Sequence, residues 1–336
     1  MRRSMLPVLA LVLVAAGRGL PALPGDTAPN DGRSYPPREA SPRSGCSSRG
    51  ARPFAAASDA QERVPPTYGR RLVWSDEFKG SSLDQSKWKF HATMNSTDCV
   101  YTNDSRTARI ENGCLHLMVV PSGDPKKPQM LPRGVSTRDR MAFKYGYVEM
   151  RAKVPFRHGA WPSFWMTAQP KMQKAAWMSE VDIFEVFSTS NAVVANLHKW
   201  APGRRHYMLP GGEGSLRRAY VFKDCAKLNS EVHVYGFEWT PKEMSFYVDG
   251  EKYTTFPIDE AHDYCPNEKL GMAGHHDFHN IHINNEIFTP GHGWCPKEKR
   301  ITADDALPID YWVDWIRLYQ KDGEEICFPE REKVKE

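Results

Sequence analysis

The segment Glu180-Val181-Asp182-Ile183-Phe184-Glu185 places three carboxyls within an otherwise apolar run, between Trp177-Met178-Ser179 and Val186-Phe187. An unpaired carboxylate buried in such a run loses several kcal/mol of hydration, so groups of this kind line a cleft, hold a cation or pair with a guanidinium. If the run is a strand, Glu180 and Asp182 share a face, while strict alternation sends Glu185 to the opposite one. A β-bulge at Ile183-Phe184 absorbs one residue and returns Glu185 to the face of Glu180. Two carboxyls about 5 to 5.5 Å apart are the working parts of a retaining glycosidase, one attacking the anomeric carbon and the other moving a proton. So close together they cannot both ionise easily, which keeps one of them an acid at working pH. Asp182, between them, can hold a hydrogen bond to the nucleophile. Carboxylate clusters also bind calcium or form solvated acidic faces, so the residues alone leave three readings.

The elements that must position these groups read as strands. In residues 147–154 the even positions Val148, Met150, Ala152 and Val154 are apolar, the period of a strand with one face packed inward. The run 244–248 leads into Asp249-Gly250 and then Glu251-Lys252-Tyr253, the signal of a two-residue hairpin. Residues 312–319, rich in aromatic and branched types, read as a late strand closing the sheet. No stretch has the caps and period of a long amphipathic helix. An antiparallel β-sandwich follows, with long loops expected over 121–133, 201–218 and 280–306. Trp161 and Trp165 are four apart and share a face, with Phe164 and Met166 on the other. Indole rings near the carboxylates suit stacking on the flat C–H faces of sugars, core packing being the alternative.

Composition bounds the rest. The chain has 336 residues, of which 40% are hydrophobic, enough for a sizeable core, and 45 Lys and Arg face 41 Asp and Glu. So thin a positive excess argues against nucleic acid as a partner. Met1-Arg2-Arg3 followed by an apolar run over 5–16 has the layout of a secretory signal peptide over 1–17, too short to span a bilayer. Residues 18–66, crowded with Pro, Gly, Ser and Arg, read as a disordered linker, which leaves 67–336 as the sandwich domain. A secreted or periplasmic protein with no membrane association after cleavage is expected. In such a setting Cys99, Cys114, Cys225, Cys265, Cys295 and Cys327 can form up to three bridges, with Cys46 apart. The run Gly274 to His282 is rich in His, but not spaced as HxxxH on a helix, and reads as loop and cleft rim, not a zinc site.

Beyond these readings, the hexapeptide matches the ExDxxE signature of glycoside hydrolase family 16, in its bulged-strand branch of laminarinases, agarases and carrageenases. Residues 72–78 with Ser82-Leu83-Asp84 and Trp88, 145–155 with 159–166, 234–241 with 246–250, and 313–319 are similar to that family's other strands, in order, over about 71–320. The resemblance implies a concanavalin A-like jelly-roll sandwich with a concave cleft, cutting internal β-linkages of a polysaccharide with retention and without a cofactor. It implies Glu180 as nucleophile, Glu185 as acid/base and Asp182 as assisting carboxylate. Trp161, Trp165, Trp177, His198 and Arg138 are the candidate substrate contacts. His198 matches a position where the family often carries a His beside the acid/base, and Arg138 has the planar fork to bind a hydroxyl or sulfate. Glu77 and Asp314 match positions that contribute to a structural calcium on the family's convex side, and hard oxygen ligands suit that ion. The sequence departs from the laminarinases before Glu180, where Lys174-Ala175-Ala176-Trp177-Met178-Ser179 replaces their Trp-Pro-x-x-Gly, and in the late His-rich segment. A β-1,3- or β-1,3-1,4-glucan is the expected substrate of a monomeric enzyme; a red-algal galactan, or a binding protein that has lost catalysis, are the alternatives.

Overall fold

A computed structural model describes residues 69–91, 100–124, 126, 129–203, 205–210, 215–224, 227–228, 231–291, 295–302 and 305–329. The expected leader and linker, with Cys46, Cys99 and Cys225, lie outside the described residues. The strands are β1 (Arg71–Asp76), β2 (Lys89–Phe90), β3 (Ala108–Glu111), β4 (Cys114–Pro121), β5 (Met130–Leu131), β6 (Arg133–Ser136) and β7 (Ala142–Lys144). They continue as β8 (Gly146–Lys153), β9 (Ala160–Ala168), β10 (Met178–Glu185), β11 (Ala192–Ala201), β12 (Arg205–Met208) and β13 (Ala219–Val221). The last are β14 (His233–Trp239), β15 (Glu243–Val248), β16 (Glu251–Pro257), β17 (His279–Ile287), β18 (Ile309–Gln320) and β19 (Glu325–Cys327).

Two antiparallel sheets result, one ordered β16-β15-β14-β8-β18-β4-β3 and the other β12-β11-β10-β9-β17-β6-β2. Hairpin neighbours alternate with pairs distant in sequence, such as β8 with β14 and β18, and β9 with β17, as in a jelly roll. The expected inward face of β8 is realised: Val148, Met150, Ala152 and Val154 are fully buried in a core shared with Phe164 and Met166 of β9 and Ile281 and Ile283 of β17. Asp249 and Gly250, both at positive φ, close the hairpin from β15 to β16, as the sequence requires.

One expectation fails here. The loop expected over 280–306 begins as β17, a central strand paired with β9 along its whole length. Its alternation of Ile281, Ile283 and Ile287 with polar residues is masked by Asn285. That side chain is fully buried and donates to the carbonyls of Leu117 (2.8 Å) and Ile309 (2.9 Å), tying the two sheets together. Of the expected bridges, none joins any two of the four described cysteines, Cys114, Cys265, Cys295 and Cys327, while Cys99 and Cys225 lie outside the described residues. Cys114 lies instead 3.9 Å from an Asp314 carboxylate oxygen, and Cys265 lies 3.5 Å from one of Asp263.

Candidate active site

The bulge sits where the carboxylate spacing demands it. Between Asp182 and Glu185, β10 advances three residues while β11 advances two, from Asn196 to Val194, and β9 likewise loses one residue against it. Ile183 and Phe184 both point into the core, at 2% and 0% exposure, and Phe184 packs against Phe164 and, from the opposite sheet, Tyr235. Removing the bulge would either bring Phe184 out or drive Glu185 in. Burying a side chain of this size is worth about 1.5–3 kcal/mol, and an unpaired buried carboxylate costs more. The core thus enforces the irregularity that brings the third carboxyl to the face of the other two.

Across that concave face the register sets three rows of side chains. Glu180 lies opposite His198 and Thr167, with Asn280 beyond; Asp182 opposite Asn196 and Trp165, with His282 beyond; Glu185 opposite Val194 and Ser163, with Asn284 beyond. Each carboxyl is held by a ring nitrogen. The indole N–H of Trp200 donates to Glu180 Oε2 at 2.8 Å, that of Trp161 donates to Glu185 Oε1 at 2.8 Å, and Nε2 of His198 is 2.7 Å from Asp182 Oδ2. Donor atoms of Glu180, Asp182 and His198 lie within 4.8 Å of one another. By type they resemble a metal triad. With His198 Nε2 engaged by Asp182 and Trp200 bound to Glu180, the set is a hydrogen-bonded carboxylate pair with an imidazole, not an open cage.

On the far side, Trp165 stacks on His282 with ring centres 4.3 Å apart and its N–H donates to Asn284 Oδ1, which Ser163 also bonds. His282 Nδ1 is 2.5 Å from Nε2 of His91, and its Nε2 faces Thr167 and Asn280. Burial holds His282 far below the usual imidazole range and His91 at about 4, and the nearby Arg138 cation pushes both the same way. These rings are neutral at ordinary pH. Arg138 follows directly at this end of the sheet, its backbone N–H donating at 3.0 Å to the Oγ of Ser136, the residue opposite His282. Gly134 of β6 is required there, because a Cβ would come within 2.7 Å of the Asn284 Cβ.

Of the candidate contacts, Trp165, His198 and Arg138 are placed on or beside the carboxylate face. Trp161 is there too, with one face of its ring stacked on Phe288 at 4.9 Å and its N–H donating to Glu185. Trp177 is not in the cleft. It is 2% exposed on the inner face of the sheet, donates to the Leu270 carbonyl and lies edge-on to His275, so it packs the core. The His-rich segment likewise divides by face: His275 and His279 are buried beneath the sheet around Ser179 Oγ, at 2.6 and 3.0 Å, and only His282 reaches the cleft. On the convex side, Glu77 accepts two bonds from Arg317 at 3.0 Å, and Asp314 is bound by Arg151. With both carboxylates taken by guanidiniums, these two residues do not fit a calcium cage. Sequence reasoning missed Trp200, His206, His91 and Asn284; Trp200 is two residues after His198 and so on its face, a signal open to inspection.

Comparison with known proteins agrees with this arrangement. The model of glycosyl hydrolases family 16 matches residues 89–274, more than half of the chain. The chain is 28% identical to Beta-glucanase of Rhodothermus marinus over 277 residues, covering 78% of this chain and 88% of that one. It is 26% identical to Glucan endo-1,3-beta-glucosidase A1 of Niallia circulans over 211 residues, which is 56% of this chain but 29% of the length of that relative. Among solved structures, the laminarinase from Rhodothermus marinus shares the fold at a TM-score of 0.60 and 23% identity, over 75% of this chain and 97% of that one. The carboxylate strand, the two sheets and the family match agree, and this chain belongs to glycosyl hydrolases family 16.

Proposed function

We propose that this glycoside hydrolase is endo-acting and retaining, with a β-1,3- or mixed-linkage β-1,3-1,4-glucan as substrate. The observation that carries the reading is the bulge in β10, which turns Glu180, Asp182 and Glu185 to one face of the concave sheet. Glu180 attacks the anomeric carbon as Glu185 protonates the departing glycosidic oxygen, leaving a glycosyl ester on Glu180. Glu185, now ionised, takes a proton from water, the water oxygen attacks the same carbon, and Glu180 departs; two inversions give net retention. Asp182 keeps the nucleophile's carboxyl oriented. The names of the glucan-cleaving relatives support the choice of polymer. Trp165 offers a ring beside the carboxylates for stacking on a glucosyl unit.

Reducing-end release from laminarin, lichenan, agarose, porphyran and carrageenan tests the substrate. Release from the galactans alone would replace the glucan, and binding without release would replace the enzyme with a carbohydrate-binding protein. Azide tests the roles: with an activated aryl glycoside, Glu185→Ala should yield the retained glycosyl azide, and Glu180→Ala the inverted one. Reversed products would overturn the assignment. The basic start and apolar run before residue 17 support export, which N-terminal sequencing of protein recovered outside the producing cell would test.

A further inference from the structure

At the edge of the concave sheet, His206 of β12 touches both arms of the site. Its ring stacks on Trp200 with centres 3.8 Å apart and planes 8° from parallel, and lies edge to edge with His198, centres 5.0 Å apart and planes within 10° of each other. Trp200 is the donor to Glu180. His206 Nε2 also lies 2.7 Å from Nδ1 of His198, whose Nε2 lies 2.7 Å from Asp182. One half-buried residue outside the carboxylate strand thus braces two of the three carboxyls.

We propose that His206 is a positioning residue for glycoside cleavage and the outer end of a proton relay, His206 to His198 to Asp182, that loads and unloads the middle carboxyl. The inference rests on the retaining reading above. With Asp182 ionised, His198 carries its proton on Nε2 and donates it to Asp182, while Nδ1 accepts from the Nε2–H of His206. When a proton reaches Nδ1 of His206, the Nε2–H of that ring passes to Nδ1 of His198, and the Nε2–H of His198 passes to Asp182. One proton has entered, Asp182 is neutral, and each ring again holds a single proton. A bare carboxyl would have to exchange its proton directly with the crowded cleft.

The relay requires a neutral ring at its outer end, and His206 is one: burial, then the neighbouring His198, hold it at about 4. The charged groups around it are otherwise engaged. From β10 come Glu180 and Asp182. On β12 itself, Arg205 is bound to Glu268 at 2.9 Å. On the opposite face of β11, Lys199 is held by Asp263 at 2.6 Å, with Tyr264 and His275 behind it.

Two variants separate the roles: His206→Phe keeps a ring on Trp200 and removes the nitrogen, and His206→Gln keeps an amide partner but cannot pass a proton through. Both should fold, bind glucan with KM near that of wild type and lose about tenfold in kcat, the size of one lost hydrogen bond to a buried group. Both should shift the acid limb of the kcat/KM profile away from its wild-type position, the limb itself persisting because Glu180 must still ionise. A wild-type kcat and pH profile in either variant would overturn the relay. A second readout needs no substrate: in nitrogen-15 spectra of wild type, the His198 proton should move from Nε2 to Nδ1 as pH falls, whereas in His206→Phe the ring should become doubly protonated. A wild-type His198 that never changes tautomer would overturn the proposal even if the enzyme is active. Should wild type cleave no glucan, the functional reading fails while these spectra still decide the relay.

Discussion

Glu149 is a carboxyl buried where nothing in the proposed chemistry uses it. It lies on β8 at 3% exposure, accepting from Tyr319 at 3.1 Å, and burial pushes its pKa from the ordinary 4.5 up to about 7 in spite of Arg317 and two tyrosine donors. In the unfolded chain the group loses its proton near 4.5, and in the folded one near 7. Between those values the native state binds more protons than the unfolded state. Stability is therefore full below the lower value, falls as pH rises through the window and levels off above it. At 1.36 kcal/mol per tenfold, the loss amounts to about 3 kcal/mol by pH 8. Glu149→Gln keeps an acceptor for Tyr319 and has no charge to bury, so it should recover most of that. For a domain of this size the gain corresponds to roughly 5 to 10 °C in Tm at pH 8, and to a degree or two at pH 5. Thermal unfolding of both proteins at the two pH values measures the difference. Equal shifts at pH 5 and pH 8, or a Tm lowered at both, would refute the reasoning, since either result means that the carboxylate form is not the destabilised one.

Other consequences follow from the same structure. Asp263→Asn should cost about 3 to 5 kcal/mol in chemical denaturation, because it strands the fully buried Lys199 ammonium without its counter-charge. Trp165→Ala should raise KM by about tenfold with little change in Tm, the loss of a stacked ring, whereas Trp177→Ala should lower stability by about 3 to 5 kcal/mol and leave KM alone. Glucan titrations and melting curves on the two variants distinguish cleft from core. Deleting Ile183 should abolish hydrolysis more completely than Ile183→Ala, because the deletion removes the bulge while the substitution leaves it; equal residual rates would show that the register of Glu185 is not what matters.

What could be read in the sequence follows from how local each constraint is. The bulge in β10 was legible because alternation and a carboxylate's hydration cost conflict within six residues, and only an inserted residue resolves them. The hairpin at Asp249-Gly250 and the inward face of β8 were legible for the same reason. The identity of β17 was not: Asn285 stands where the pattern calls for an apolar residue, and its reason for being there is two carbonyls supplied by β4 and β18, remote in the chain. Trp177 was misplaced for a related reason. It is near Glu180 in sequence but one residue out of phase with it, so the strand sends it to the core, where Leu270, His275 and Lys199 surround it. Glu77 and Asp314 come from the resemblance as calcium contributors, and nothing near either in sequence announces its arginine partner, since Arg317 and Arg151 lie on strands remote from them in the chain or at other positions. Periodicity assigns a face, but only the register between strands says which side chains meet on it. That is why the three carboxyls could be placed from one segment, whereas Trp200, His198 and His206, which hold two of them, became a unit only once β10, β11 and β12 were laid side by side.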